Sequence, residues 1–134
     1  MRKLLFALLA FLIAASPVAA QTYASPPPGS PERKAILDAL RPKIEARLGK
    51  PVEFVVEEIR VGGGWAFVRV MPQRPGGGEI RNPNEDMDGV HTEAFLRREG
   101  GRWVVKEYGI GSTDVWWLSM CDSTPKGLIA EGCG

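Results

Sequence analysis

Apolar residues recur at Ile36, Leu40, Ile44 and Leu48, four apart, with Leu37 alongside. This is the stripe of a helix that faces a single partner. Ser30 suits the N-cap, Pro31 the first helical position, and Glu32 the positive end of the helix dipole. Gly49 and Pro51 predict the stop. Pro42 removes one helical hydrogen bond and crowds the preceding turn. The stripe keeps its phase across Pro42, so the pattern predicts one kinked helix rather than two.

Downstream the period changes to two. Val52, Phe54 and Val56 alternate with polar positions, and Ile59 and Val61 continue out of phase, which predicts a bulge near Glu57-Glu58. Gly62-Gly63-Gly64 reads as a turn and Trp65 to Met71 as the return strand of an antiparallel hairpin. A polar connection follows from Pro72 to Gly89, long enough to suggest a role of its own. Val90 to Arg98 reads as a third strand, Glu99 to Arg102 as a tight turn, and Arg102 to Ile110 as a fourth strand. Gly101 to Trp117 is the most strongly patterned stretch and is expected to supply the central strand. Beyond it lies a flap in which Ser112 or Thr113 caps a short helix from Val115 to Met120. The expected fold is α+β: one N-terminal kinked helix packed on a curved four-stranded antiparallel meander, with a short C-terminal helix or loop.

The first twenty residues follow a different pattern. Arg2 and Lys3 precede a twelve-residue apolar run from Leu4 to Ala15, and Val18-Ala19-Ala20 places small residues before Gln21. This is the form of a secretory signal peptide, and the run is too short to span a bilayer, so no stable membrane anchor is expected after cleavage. The expected organisation is a signal peptide at 1–20, a Pro/Ser-rich linker at 21–30 that stands off the core, and a single domain at 31–134. The expected location is the periplasm or the exterior. The whole chain carries 17 Lys+Arg and 16 Asp+Glu; loss of Arg2 and Lys3 leaves 15 against 16, a net charge of −1. That balance argues against nucleic acid as a partner. Cys121 and Cys133, the only two cysteines, read as a disulfide in an oxidising compartment and would close the Pro/Gly-rich tail.

The helix sequence RKAILDALRP, the hairpin closing on WAFV and the late GRWVVKEYGIGSTDVWW together resemble a group of small exported bacterial proteins of uncharacterised function. The resemblance covers roughly residues 31–118 and implies a cystatin-like or NTF2-like fold, a helix wrapped by an antiparallel sheet. It implies no catalytic residues. The chain supplies less helix before the sheet than a full NTF2-like domain, so a deep enclosed pocket is not expected.

Candidate chemistry is sparse. Asn84, Asp86, Asp88 and Gly89 occupy positions 1, 3, 5 and 6 of a calcium-loop pattern, whose short oxygen side chains converge on a hard cation. Position 12 is Phe95 where a bidentate Glu is wanted, so the alternative is an acidic turn, with no metal or other cofactor. His91, the only histidine, lies near Asp86 and Asp88 and suits a general base, a metal ligand or a hydrogen-bonded strand residue. Adjacent Trp116 and Trp117 point apart, so one is expected in the core and the other on a binding surface, unless both close the sheet. No catalytic set emerges. The expectation is a non-enzymatic exported domain that binds a protein or envelope component through the Trp116-Trp117 end or the acidic loop. The alternatives are a small-molecule pocket protein or enzyme of NTF2-like type, and a calcium-stabilised structural domain.

Overall fold

A computed structural model describes residues 12–15, 22–131 and 133. The expected signal peptide lies almost wholly outside these residues. Among the described residues no helix is long and apolar enough to cross a membrane.

The helix α1 spans Pro31–Leu48 without interruption and carries Pro42 inside it. The Ser30 side chain accepts from the Arg33 N–H, Pro31 opens the helix, and Gly49 closes it with its N–H on the Glu45 carbonyl at 2.8 Å. Pro42 is exposed, so its ring points away from the packed stripe of Ile36, Leu40, Ile44 and Leu48.

Four strands follow: β1 (Glu53–Gly62), β2 (Trp65–Gln73), β3 (Thr92–Glu99) and β4 (Arg102–Ile110). All neighbours are antiparallel, in the order β1-β2-β3-β4. The phase break in β1 is a bulge that leaves Glu57 unpaired between Val56 and Glu58. A second bulge, between Phe95 and Leu96 of β3, leaves Lys106 of β4 unpaired. β2 continues through Pro72 because β3 pairs with it only as far as Val70, so the missing N–H breaks no ladder on that side. The stretch expected to be central proves to be an edge. β4 has only β3 beside it, and the centre of the sheet is β2 and β3.

Both faces of β2 and β3 are buried, which makes three layers. Ala66, Val68 and Val70 of β2 and Ala94 and Leu96 of β3 meet the helix stripe, joined by Phe54, Trp103 and Val105. Trp65, Phe67 and Phe95 point the other way, against Trp117, Leu128 and Ile129 of the C-terminal segment. Phe67 and Phe95 stack at the centre of this second core, with ring centroids 5.0 Å apart. This third layer begins with a 3-10 helix, Trp116–Met120, and is tied by the Cys121–Cys133 disulfide, with Cα atoms 5.6 Å apart.

The expected stand-off linker is a strap on the domain. Ala24 bridges Val61 with hydrogen bonds of 2.9 and 2.8 Å, extending the edge of β1. The Tyr23 hydroxyl donates to the Lys126 carbonyl, and its ring lies on Gly62, where an added Cβ would come within 2.5 Å of it. Arg60 stacks over that ring at 5.1 Å and donates to the Leu128 and Gly127 carbonyls, both at 2.9 Å. An aromatic residue and a well-placed glycine outweigh the extended preference of the prolines that follow. Strap, edge strand and tail are thereby fastened together.

Candidate functional site

The space between α1 and the sheet is filled. Ile36, Leu40, Ile44, Ala66, Val68, Ala94 and Leu96 are fully buried, so the arrangement holds a packed core where a ligand cavity would lie. Two adjoining grooves lie at the end of the sheet where the 74–91 connection crosses. One groove of about 690 Å³ is lined by Met71, Gln73, Glu79, Asp88, Val90 and His91. An adjoining groove of about 630 Å³ is lined by Glu79, Arg81, Asn82, Asn84, Glu85 and Met87.

The connection is structured by short side-chain turns. Asn82 Oδ1 accepts from the Asn84 N–H at 2.9 Å, Asn84 Oδ1 accepts from the Asp86 N–H at 3.1 Å, and Asn82 Nδ2 donates to the Gly89 carbonyl at 2.9 Å. These are Asx turns, in which the side chain substitutes for a backbone turn. The first oxygen of the calcium pattern, on Asn84, is therefore engaged with backbone. Asp86 and Asp88 are exposed, and no group of three or more His, Cys, Asp or Glu side chains is placed to hold a metal ion among the described residues. Ile80 and Val90 anchor the two ends of the loop in the helix-side core.

His91 lines the first groove with Asp88 and Glu79. Its Nε2 lies 2.8 Å from the Ser112 carbonyl; a carbonyl only accepts, so Nε2 carries the proton in this bond. The Gly111 N–H donates to the His91 carbonyl at 2.7 Å and the Asp88 N–H to the Gly111 carbonyl at 2.8 Å. His91 thus holds the start of the flap to β3. No nucleophile is brought to it. Ser112 donates its hydroxyl to Asp114 at 2.7 Å, and Asp114 also accepts from the Trp116 N–H at 3.1 Å. Asp114, not Ser112 or Thr113, receives the leading N–H of the short helix, whose N-cap position is Val115.

Neither tryptophan of the expected binding surface stands free. Trp117 is buried against Phe67, with Arg69 stacked 5.1 Å over its ring. Trp116 is half-buried, edge-on to Phe95 at 5.9 Å, and rests on Gly109, where an added Cβ would come within 2.6 Å of the indole nitrogen. Under Trp116 lies Glu93, a residue the sequence reading did not single out. Burial pushes its carboxyl above the usual range, while the field of His91, the nearby indole N–H of Trp116 and the field of Arg69 pull it back. Neither Glu93 Oε2 nor Trp116 Nε1 makes a well-formed hydrogen bond, although they are close enough to interact. The clue available in the sequence was alternation: Glu93 shares the parity of Phe95, so once Phe95 faces the tail Glu93 must too.

The arrangement offers two open grooves at an acidic, preshaped loop, and a half-buried ionisable cluster of Glu93, His91 and Arg69 beneath the flap. No family model, no curated protein and no solved structure matches the chain.

Proposed function

We propose that the protein is an exported, non-enzymatic binding domain of cystatin-like or NTF2-like build, whose contact surface is the acidic loop between β2 and β3. One observation carries this reading. Both faces of β2 and β3 and the space beneath the helix are filled, while the loop presents Glu85, Asp86, Met87 and Asp88 to solvent in a shape set by Asx turns. A loop held in one conformation loses less entropy on binding. Its partner is a protein or envelope component that offers positive charge around an apolar contact, because Met87, 41% exposed, sits among three carboxylates. The Trp116-Trp117 end serves the fold: its rings are used for packing.

The disulfide supports export, since such bonds persist in oxidising compartments. A second reading, a small-molecule site of NTF2-like type, draws on the His91, Asp88 and Glu79 groove, which is open rather than enclosed. A calcium-stabilised role draws only on Asp86 and Asp88.

The test is a photo-crosslinking residue placed at Met87 or at Val115, the latter 55% exposed beside the tryptophans, in cells that make the full chain. Adducts from Met87 and none from Val115 are expected. Adducts from Val115 alone would move the surface to the flap, and none from either position would sink the reading.

A further inference from the structure

A further groove lies at the opposite end of the molecule. It measures about 590 Å³ and is lined by Pro31, Glu32, Ala35, Arg98, Arg102 and Trp103. Its apolar lining is the half-buried Trp103 indole with Pro31 and Ala35. The Arg98 guanidinium lies 5.8 Å over the Trp103 ring and 3.8 Å from Glu32, a loose and largely exposed pair. Arg102 makes no ion pair among the described residues. Two guanidiniums against one carboxylate leave the groove positive, and it lies beside the positive end of α1.

The chain itself contains a segment of the complementary chemistry. Glu85, Asp86, Met87 and Asp88 set one exposed thioether among three carboxylates, on a loop beside the other end of α1, where Leu48 and Arg47 share a cleft with Asn84 and Met87. Resting on the loop reading above, we propose that the partner is a second copy of this chain. Met87 of one molecule lies on Trp103 between Pro31 and Ala35 of the next, and the flanking carboxylates meet Arg98 and Arg102. A thioether on an indole is a favourable contact, and Arg102 gains the carboxylate it lacks. Glu32 in the groove and Arg81 in the loop oppose the contact and keep it weak.

An eighteen-residue helix is about 27 Å long, so one molecule cannot join its own two ends. The contact pairs two different surfaces, so the copies assemble head-to-tail, into a closed ring or an open chain according to the rotation between them. It is also small and charge-dominated, which places it among weak, salt-sensitive associations.

Sedimentation velocity on the mature protein, from micromolar to millimolar concentration at low and high salt, tests this with two variants. Arg102→Glu spoils the groove and leaves the loop. Asp86→Arg spoils the loop and leaves the groove. Both positions are exposed, and near-ultraviolet circular dichroism checks that each variant keeps the native core. The wild type should grow with concentration, less so at high salt, and each variant alone should stay a monomer. An equimolar mixture should give a species of twice the monomer mass that grows no further, because only one good loop and one good groove meet. A wild type that is monomeric throughout at low salt would overturn the proposal, as would variants that associate like the wild type or a mixture that remains monomeric. If the wild type is monomeric while Met87 still crosslinks to a different protein, self-assembly fails and the loop reading stands.

Discussion

Glu93 is placed where burial works against its charge. Its carboxyl is drawn into the second core beneath Trp116, faces His91 and Arg69, and lacks a well-formed partner for Oε2. Burial raises its pKa in the folded chain, so the fold binds a proton there more readily than the unfolded chain does. The stability this group contributes is therefore fully present below its unfolded pKa and is lost as pH rises through the folded value. Asp38 behaves oppositely: hydrogen bonds from Lys34 and from Arg41 at 2.6 Å hold its carboxyl below the usual range. What it contributes is lost only in stronger acid, as pH falls through its folded value, and as an exposed helix-surface group it contributes little. Urea melts from about pH 4.5, the ordinary glutamate value, to about pH 8 cover the range in which Glu93 gives up its contribution and lie above the range in which Asp38 does. Glu93→Gln should flatten the decline toward alkaline pH and leave the variant the more stable protein at the alkaline end. Asp38→Asn should leave the profile in that window unchanged. A Glu93→Gln profile that parallels the wild type would show that the carboxyl is not titrating inside the fold.

Among the elements, β2 and β3 carry the structure. They alternate strictly, one parity to the helix and one to the tail, so each adds to two cores at once. β4 contributes Trp103, Val105 and Tyr108 to the helix side only as partly buried neighbours. Phe95 is fully buried, and its truncation to alanine should cost about 3–5 kcal/mol, a large share of the 5–15 kcal/mol typical of a whole domain. Trp103→Ala, on the edge strand with its ring partly open and shared with Arg98, should cost less. Paired urea melts decide the order. If Trp103→Ala were the more damaging change, the centre of the core would have to lie on β4.

For the whole molecule, the decisive feature is that a tail whose described residues hold no regular structure beyond one 3-10 turn serves as a layer. Trp117, Leu128 and Ile129 cover Trp65, Phe67 and Phe95, and the disulfide removes much of the freedom the tail would regain on unfolding. For a ring of this size the chain-entropy cost of breaking the bond is about 3 kcal/mol. Cys121→Ser with Cys133→Ser should lower stability by about that amount. The tail keeps its other fastenings, the Arg60 hydrogen bonds to Leu128 and Gly127 and the Tyr23 strap. The double variant should therefore remain folded at low temperature and expose the aromatic face before global unfolding. Binding of an apolar fluorescent dye ahead of the loss of helical circular dichroism would show this. A single transition at the wild-type midpoint would mean that the tail layer does not depend on the bond.

Much of the architecture was legible because it is local. The Ser30 cap, the four-residue stripe and Gly49 define α1 within a few residues of chain. The Gly63-Gly64 and Gly100-Gly101 turns set two hairpins, the phase slip after Val56 marks a bulge, and the two cysteines pair with each other. Periodicity, capping and turn chemistry each act over one turn of helix or one hairpin, so they can be read in order along the chain. What the sequence could not decide is which parity of β2 and β3 faces the helix. Trp65 to Val68 are all buried, and a run buried on both sides shows alternation without orientation. That choice depends on what covers the second face, and the cover comes from the C-terminal segment beyond β4 together with a strap from before the helix. Only the tertiary structure brings Trp117, Leu128 and Tyr23 onto the sheet, and only then do Glu93 under Trp116, the edge position of β4 and the filled helix–sheet space follow, because burial is a property of contacts between distant segments and not of any one of them.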